Sequence, residues 1–395
     1  MKNPSRRLAL IVSHPIQYYV PLYRCLASRG DLEIKVFFTW HAGGAPVVDH
    51  GFRTSFAWDI PMTCGYDFEL VNNTSRDPGT HRFLGLRNPT LVQRVIAWRP
   101  DLAIIHGWAW LSHLRALYAF GRLNIPTLLR GDSHLLDESL VGPRWLAKKA
   151  LLTRIFSWPA GFLTVGSANR AYYKAFGVDP MRLHYCPHSI DVGRFAEPAG
   201  ALEREAGEWR HRLGIDAQDI VLLYAGKFEP KKCPVRLMRS VIKLQNPRVV
   251  LVIVGGGELQ GEINALAAVA PARFRVLSFQ NQSRMPVVYR LGDLFVLPSS
   301  HGETWGLAIN EALACGRPVL VSDRVGCAPD VVDPSCGHVF SWAKPRSLED
   351  ALTEMTADRR GLAVMGGAAS ERAWSFDVAR TEETLIGAIE QVCAA

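Results

Sequence analysis

The chain has 395 residues, of which 48% are hydrophobic and 21% charged, so it is too apolar for a disordered chain and too long for one ordinary domain. It contains no apolar run long enough to span a membrane and no signal-peptide cleavage site, and we therefore expect a cytosolic protein. The formal net charge of +8 favours nucleic acid, a membrane surface or a phosphorylated small molecule as partner. The eight cysteines form no CxxC pair and no metal-ligand spacing, which predicts reduced thiols and no metal site.

Short apolar runs alternate with amphipathic stretches along the first half of the chain. These runs are LALIVS, IKVFFTW, DLAIIHG, PTLLRGD and GFLTVGS. Parallel strands are buried on both faces and need helical crossovers, so this alternation predicts a doubly wound parallel sheet. The second half repeats the alternation with DIVLLYAGK, RVVLVIVGGG, FRVLSFQ, DLFVLPS and PVLVSD. We therefore predict an α/β protein with two Rossmann-like domains of similar size.

In the first domain, the stretch GPRWLAKKALLTRIFSWP places Arg144, Lys148, Lys149 and Arg154 among apolar residues. This pattern is typical of a helix with a solvated basic face, and also of a helix that lies on an anionic membrane surface. Both interpretations stay open, and an anionic membrane surface is a hypothesised partner.

The domain boundary is predicted near PHSIDVGRFAEPAG, where a strand runs into a connector that contains proline and glycine. This gives a first domain over residues 1–190 and a second over 191–375, with a hinge and a cleft between them. Residues 376–395 have apolar residues at helical spacing, which predicts a C-terminal helix. Whether this helix packs back on the first domain stays open.

The most informative segment is LFVLPSSHGETWGLAINEALACGRPVLVSD. A buried strand is followed by a loop and then by a helix that is predicted to start near Leu307 and to end at Gly316. The unpaired N–H groups around Gly306, Leu307 and Ala308 would lie at the start of this helix and favour a phosphate oxygen. The segment therefore predicts an anion site.

Two carboxylates flank this anion site. Glu303 lies in the loop and Glu311 lies about one turn inside the helix. A carboxylate is a poor neighbour for phosphate but a good acceptor for vicinal hydroxyls. A ligand with sugar hydroxyls on both sides of a diphosphate, such as a sugar nucleotide, fits this arrangement.

A second motif, AGKFEPKKCPVRLM, follows the strand IVLLYAG. Lys227 and Lys232 lie at the carboxyl end of that strand, where α/β proteins bind ligands, so the two cations are suited to neutralising a diphosphate.

Together these motifs resemble retaining glycosyltransferases of family 4, the glycosyl transferases group 1, which have the GT-B fold of two Rossmann-like domains facing a cleft. GKFEPKKCP resembles the G-R-x-x-x-x-K-G segment of that family, and SSHGETWGLAINEALACGRPVLVSD resembles its E-x7-E segment. PHSIDVGRF, VLVIVGGGEL and VGCAPDVVDPSCGHVF resemble further family motifs in the same order. The resemblance is strong over residues 165–340 and weak in the first domain.

The resemblance implies a metal-independent transfer of a sugar from a nucleoside-diphosphate sugar to a hydroxyl acceptor, such as a glycan or lipid-linked glycan, with retention at the anomeric carbon. It implies that Glu303 contacts the donor sugar and that Glu311 binds the ribose hydroxyls. Lys227 and Lys232 would clamp the diphosphate in place of a metal, and the backbone of residues 306–308 would hold a phosphate. No cofactor is implied, because the nucleotide sugar is a substrate.

The resemblance also places the donor base against Phe279, Gln280 and Asn281 at the end of RVLSFQN. Two positions depart from the family pattern. Lys227 replaces an arginine, which keeps the charge but loses bidentate geometry, and Cys233 replaces the glycine that usually follows the second cation.

The acceptor side is less defined. SHPIQYYV replaces the usual glycine pair after the first strand, so His14 is expected to face the cleft and to touch sugar or acceptor. The family histidine position is occupied by Asp132, with His134 two residues later and His106 at the end of the preceding strand. Which of these residues acts on the acceptor stays open. Front-face transfer, in which the departing phosphate takes the acceptor proton, requires no protein base.

Two other functions remain as alternatives. Doubly wound domains and the sequence GGGE at residues 255–258 also suit a dinucleotide-dependent oxidoreductase, but no GxGxxG opens a helix after the first strand. A non-catalytic nucleotide- or nucleic-acid-binding module would suit the basic charge. The basic residues are dispersed and no nucleic-acid motif is present, so we expect no nucleic-acid partner.

Overall fold

The computed structural model of the protein describes residues 5–41, 47–49 and 51–394. Within these residues the chain divides into two compact units. The first unit takes its residues from positions 1–44, 61–189 and 378–395, and the second from positions 45–60 and 190–377. In the described part of the chain, no helix combines the length and the apolar character that crossing a bilayer requires.

The first half of the chain alternates strands and helices. Its elements are β1 (Arg6–Val12), α1 (Val20–Ala27), β2 (Leu32–Phe38), β3 (Val47–Asp49), β4 (Thr54–Phe56), β5 (Asp67–Leu70), α2 (Leu91–Trp98), β6 (Leu102–His106), α3 (Leu111–Arg122), β7 (Thr127–Gly131), α4 (Pro143–Ile155), β8 (Gly161–Thr164), α5 (Ser167–Ala175) and β9 (Leu183–Tyr185). Short 3-10 helices lie at Phe83–Gly85 and Pro180–Arg182.

The second half follows the same alternation. Its elements are α6 (Val192–Ala196), α7 (Ala199–Arg212), β10 (Ile220–Lys227), α8 (Pro234–Lys243), β11 (Val249–Gly256), α9 (Gln260–Val269), β12 (Phe274–Ser278), α10 (Met285–Arg290), β13 (Leu294–Leu297), α11 (Leu307–Ala314), β14 (Val319–Ser322), α12 (Ala328–Val331), β15 (Gly337–Phe340), α13 (Ser347–Met355), α14 (Arg359–Ala373) and α15 (Val378–Ala394). Short 3-10 helices lie at Pro230–Lys232 and Trp374–Phe376.

The first unit is built on a parallel sheet of seven strands in the order β5-β2-β1-β6-β7-β8-β9. One face packs against a core that includes Phe120 and Phe156. The other face packs against a core to which α15 contributes Leu385 and Ile389. Both faces are therefore covered, as the continuous apolar runs of these strands require. The C-terminal helix α15 is part of this unit. Its Glu382 forms an ion pair at 3.1 Å with Arg29, which lies just after α1.

The second unit contains a parallel sheet of six strands in the order β12-β11-β10-β13-β14-β15. The strand order reverses between β10 and β13, and in the first sheet it reverses between β1 and β6. The carboxyl ends of the strands at such a reversal form a crevice, where doubly wound proteins bind ligands. The predicted α/β class with two Rossmann-like parallel-sheet domains is confirmed.

The predicted extent of the first domain, residues 1–190, differs from the structure at one place. Residues 45–60 belong to the second unit, where β3 and β4 pair antiparallel. The rings of Phe52 and Phe56 pack on Phe279, and Asn281 donates a hydrogen bond to the carbonyl of Ala57. These contacts fix the segment on the second unit, although its sequence neighbours on both sides belong to the first.

Candidate functional site

The carboxyl ends of β10 and β13 bring Lys227, Lys232 and Glu303 to one edge of the second sheet. β10 ends at Lys227, and the 3-10 turn that follows ends at Lys232. The Nζ atom of Lys232 forms an ion pair with Glu303, and the Ser299 hydroxyl donates to Glu303 Oε2 at 3.1 Å. Because β10 and β13 are neighbours at the point where the strand order reverses, side chains of their two following loops meet here.

The loop after β13 leads into α11 through Gly306, and any other residue at this position would strain the backbone. Gly306 has φ of +100°, and a Cβ atom on it would lie 3.0 Å from Val325 and 3.2 Å from Leu297. The first N–H groups of an α-helix have no carbonyl partner within it, and here they include those of Leu307 and Ala308, whereas the Ile309 N–H donates to the carbonyl of Gly306 at 2.9 Å. α11 ends before Gly316, which has φ of +68°, so the predicted helix and its left-handed cap are confirmed.

Glu311 is a buried carboxylate with one free acceptor position. Its side chain lies on α11, and the residue is 3% exposed. The Tyr289 hydroxyl donates to Glu311 Oε2 at 2.6 Å, whereas Oε1 has no hydrogen-bond partner among the residues that the structure describes. Burial raises the pKa of Glu311 to about 7, although the Tyr289 hydrogen bond and the charge of Arg194 oppose this shift. The free oxygen is thus available to a hydroxyl donor.

Phe279, Gln280 and Asn281 follow β12, as predicted, and are half-buried, with Phe279 packed against other aromatic rings of the chain. The ring of Phe279 lies 4.7 Å from that of Phe52 and 4.5 Å from that of Phe56. Gln280 donates to the carbonyl of Ser278 at 3.2 Å. The Nζ atom of Lys227 lies 5.2 Å from the centre of the Phe52 ring. Phe52 therefore links the predicted base-side residue to the predicted phosphate-side lysine.

In the first unit, His14 and His106 follow β1 and end β6, the two strands at which the order of that sheet reverses. The Nδ1 atom of His14 and the Ser13 hydroxyl are 2.9 Å apart, and its ring lies 5.1 Å from that of His41. Burial, and then the charge of His41, lowers the pKa of His14 to about 4. Burial, followed by the charge of Arg130, lowers the pKa of His106 well below its usual value. Both imidazoles are therefore neutral at pH 7 and can accept a hydrogen bond.

Asp132 and His134 follow β7 and lie in the same unit. His134 is buried, and its Nδ1 accepts a hydrogen bond from the N–H of Leu136 at 3.2 Å. The Nε2 atom of His134 lies 3.9 Å from Asp137. Asp132 acts electrostatically on Tyr19 and Tyr173. Both residues follow β7, the neighbour of the strand β6 that His106 ends, whereas Glu303, Glu311, Lys227 and Lys232 lie in the other unit.

Sequence reasoning missed two residues that contact predicted site residues. Tyr289 holds Glu311, but it lies in the apolar helix segment MPVVYR, where it is indistinguishable from a core tyrosine. Asp49 lies 3.0 Å from Lys227 but is distant from it in sequence. The left-handed conformation of Cys233, with φ of +57°, explains why its family position usually holds glycine. Among the described residues, no group of three His, Cys, Asp or Glu side chains is arranged to hold a metal ion.

The comparison with known families decides what this site resembles. A family model described as Glycosyl transferases group 1 matches residues 205–372. The match covers fewer than half of the 395 residues, and we call residues 205–372 the group 1 segment. This group 1 segment includes the whole second sheet and carries Lys227, Lys232, Glu303 and Glu311.

Relatives of the group 1 segment extend the similarity along the chain. The D-inositol 3-phosphate glycosyltransferase of Actinosynnema mirum is 30% identical over 231 residues, which cover 55% of this chain and 53% of that protein. The chain thus spans about half the length of that relative. The D-inositol 3-phosphate glycosyltransferase 2 of Catenulispora acidiphila is 28% identical over an alignment that covers 100% of this chain and 98% of that protein.

A solved structure of HepE from Anabaena, in complex with UDP and glucose, superimposes on the protein with a TM-score of 0.70. The superposition covers 98% of this chain and 100% of that chain at 15% sequence identity. At this identity the likeness concerns the fold, and it agrees with the two sheets around which the group 1 segment and the first unit are built. The chain therefore has the two Rossmann-like domains of the GT-B fold.

Proposed function

We propose that the protein is a glycosyltransferase that takes a nucleoside-diphosphate sugar as donor. The observation that carries this proposal is the buried Glu311 carboxylate, whose Oε1 has no partner in the described part of the chain. An unpaired buried carboxylate oxygen is costly for folding, so its retention favours a ligand that donates a hydrogen bond to it. A ribose hydroxyl is such a donor. The relatives named as glycosyltransferases and the UDP-bound structure of HepE support the same interpretation.

In the proposed reaction, Lys227 and Lys232 stabilise the departing diphosphate, and Glu303 accepts a hydrogen bond from the donor sugar. The bond between the anomeric carbon and the diphosphate oxygen breaks, and a bond from that carbon to the acceptor oxygen forms on the same face. Attack on the same face gives retention, and because the acceptor proton passes to the departing phosphate, no protein base is required. Positive side chains and the start of α11 supply the electrostatic stabilisation that a metal ion gives elsewhere.

Lys232 and its neighbour Lys231 provide a matched test of the diphosphate role. Lys232 pairs with Glu303 at the strand ends, whereas Lys231 pairs with Glu229 at 3.2 Å and is more exposed. We expect Lys232→Ala to lower kcat by about 100- to 1,000-fold, the usual effect of losing one preorganised electrostatic group. Lys231→Ala should stay within about threefold of wild type. Equal rates for the two variants would contradict the proposed role of Lys232.

Retention and metal independence are tested on the same transfer reaction. The anomeric configuration of the product is read by NMR before it equilibrates, and the reaction is repeated in EDTA. We expect the anomeric configuration of the donor to be kept and the rate in EDTA to equal the rate without it. An inverted product, or activity that returns only when a divalent cation is added, would overturn these parts of the proposal.

For the acceptor we propose a hydroxyl compound of the glycan or lipid-linked glycan class. The first unit, which carries His14, His106, Asp132 and His134 at its strand ends, is the proposed acceptor side. Neutral imidazoles at these positions suit hydrogen bonds to acceptor hydroxyls. Relatives of the chain are named D-inositol 3-phosphate glycosyltransferases, and inositol phosphate is a polyhydroxylated compound. These names support a hydroxyl group as the acceptor.

We further propose that α4 places the first unit on an anionic membrane surface. Leu146 and Leu151 are 66% and 59% exposed, and Val141 just before the helix is 78% exposed. The helix sequence PRWLAKKALLTRI has no acidic residue, and its Lys149 and Arg154 are exposed. Exposed apolar side chains with only positive charges between them are typical of an interfacial helix. Lys148 is not part of this surface, because it pairs with Glu138.

Vesicle sedimentation tests the membrane proposal. We expect the protein to bind phosphatidylcholine vesicles that contain roughly 30% phosphatidylglycerol more strongly than pure phosphatidylcholine vesicles. The double reversal Lys149→Glu with Arg154→Glu should abolish this preference, since each basic residue contributes about 1 kcal/mol. The same change at Arg204 and Arg360, which are exposed in the second unit, is the control for net charge. Equal binding by all three proteins would remove the proposal.

A further inference from the structure

A carboxylate of the chain itself is paired with one of the lysines of the proposed diphosphate site. The Oδ1 atom of Asp49 lies 3.0 Å from the Nζ atom of Lys227, and both side chains are about one-third exposed. Asp49 ends β3, in the segment that belongs to the second unit. One of the two lysines on which diphosphate binding is proposed to depend is therefore paired with a carboxylate of the chain itself.

Backbone hydrogen bonds hold the Asp49 carboxylate in position for its ion pair with Lys227. Asp49 Oδ1 also accepts hydrogen bonds from the N–H groups of Gly51 and Phe52, at 2.8 and 3.0 Å. Burial alone would raise the pKa of Asp49, but the hydrogen bond from Lys227 and those from the backbone lower it below its usual value. The carboxylate is therefore ionised at neutral pH and aimed at the lysine.

The residues after Asp49 fit closely against the same lysine. A Cβ atom on Gly51 would lie 2.5 Å from Lys227 Cδ and 2.5 Å from Glu229 Oε1, so the Lys227 side chain packs directly against the backbone of Gly51. The ring of Phe52 faces the Lys227 ammonium and also contacts Phe279. The Ser283 backbone N–H donates to Asp59 at 3.0 Å and fastens the far end of the segment. The segment thus covers the proposed site from Lys227 to Phe279.

We propose that Asp49 is an internal competitor of the donor, which holds Lys227 in place of a phosphate oxygen until a nucleoside diphosphate displaces it. This inference rests on the proposed function and adds to it a residue that sets donor affinity. A carboxylate offers Lys227 the same kind of acceptor as a phosphate oxygen, but a bound diphosphate beside Asp49 would face a like charge. Donor binding therefore exchanges one ion pair for another, and Asp49 lowers the affinity for every diphosphate ligand.

The test is the affinity of the full chain for UDP, ADP and GDP, measured by isothermal titration calorimetry. Asp49→Asn keeps the oxygen that accepts from Gly51 and Phe52 but removes the charge, so the turn is retained. We expect it to tighten the Kd of the diphosphates that bind by about two- to fivefold, the upper part of the range for a partly exposed ion pair. In a Lys227→Ala background the gain should be smaller, because only the like-charge repulsion between Asp49 and the diphosphate remains to be removed.

Glu258→Gln is the matched control, because it removes one negative charge from the same surface. Glu258 lies 3.8 Å from Arg53 of the same segment and has no ion pair to Lys227 among the described contacts. An unchanged or weaker Kd for Asp49→Asn, or an equal gain for Glu258→Gln, would overturn the inference while leaving the proposed function intact. If neither wild type nor Asp49→Asn binds any of the three diphosphates, the proposed function fails and the inference fails with it.

Discussion

The buried carboxylate of Glu311 does not help the chain to fold, and a bound ligand would account for it. It lies in the helix that follows the end of β13, it is almost fully buried, and only one of its two carboxylate oxygens has a partner in the described chain. An apolar or amide side chain at this position would make the folded protein more stable. The site therefore carries a stability cost, which a bound hydroxyl donor would offset.

The raised pKa of Glu311 predicts a pH-dependent stability. The unfolded chain ionises this carboxyl near its ordinary pKa of 4.5, whereas the folded protein ionises it near 7. Because the folded protein holds this proton more tightly than the unfolded chain does, the proton contributes to the free energy of unfolding. That contribution is complete below about pH 4.5 and is lost as the pH rises through 7. Relative to wild type, Glu311→Gln should thus become more stabilising between pH 5 and pH 8, by at most about 3 kcal/mol.

Urea unfolding of wild type and Glu311→Gln at the two pH values measures this difference. Glu371→Gln is the control, since Glu371 is exposed on α14 and its substitution should shift both measurements equally. A difference between wild type and Glu311→Gln that is the same at pH 5 and pH 8 would show that the carboxyl is not held neutral by burial.

At the residue scale, the sequence was sufficient where a functional group belongs to a local motif. Glu303, Glu311 and Lys232 were each located from a strand end and the loop or helix after it, and Lys232 and Glu303 indeed meet. The partners of these residues were not predictable in the same way. Tyr289 and Asp49 reach the site through tertiary packing, and neither lies next to a motif residue in sequence.

At the scale of elements, the start of α11 determines where the proposed phosphate-binding backbone lies. Gly306 takes a backbone conformation that L-residues rarely adopt, and side-chain atoms of Val325, Leu297 and Ile309 would lie within 3.3 Å of a Cβ atom added to it. Gly306 therefore allows the loop to pass close to β13 and β14 before the helix begins.

Gly306→Ala and Gly367→Ala are expected to change stability in opposite directions. Gly306→Ala introduces strain of about 1–2 kcal/mol from the left-handed backbone, in addition to close contacts. Gly367 lies inside α14 with no atom within 4 Å of an added Cβ, so alanine there should stabilise by roughly 0.5–1 kcal/mol. Chemical denaturation measures both changes. A Gly306→Ala protein as stable as wild type would contradict the strained helix start.

The sequence predicts the inner strands of each sheet and the edge strand β12, but it does not predict the edge strands β5, β9 and β15. The sequences of β1, β6, β10 and β11 are continuous apolar runs, because these strands are buried on both faces. The edge strand β5 has the sequence DFEL and no fully buried residue, and β15 has exposed residues at its centre. An edge strand needs only one paired neighbour, so its sequence carries a weaker pattern.

At the scale of the whole molecule, the two units repeat one architecture. In each, the first strand of the unit's parallel sheet is an inner strand, next to the strand at which the order reverses. His14, His106, Lys227 and Glu303 lie at or after the carboxyl ends of these strands. The alternating pattern predicts two doubly wound parallel sheets, whereas the order of their strands is seen only in the structure. The assignment of residues 45–60 to the second unit was not predictable, because it depends on contacts of Asp49, Phe52 and Phe56 with residues that are far away in sequence.

Ligand-induced thermal stabilisation tests whether Glu311 receives the ribose of a nucleoside-diphosphate sugar. Wild type, Glu311→Gln and Glu371→Gln are each screened against a panel of uridine, adenosine, guanosine and thymidine diphosphate sugars. A ligand at one hundred times its Kd stabilises the folded state by about 2.7 kcal/mol, which raises Tm measurably. We predict that at least one sugar nucleotide raises the Tm of wild type and Glu371→Gln but not that of Glu311→Gln. No shift of wild type with any of these sugars, or an equal shift of Glu311→Gln, would contradict the ribose-binding role of Glu311.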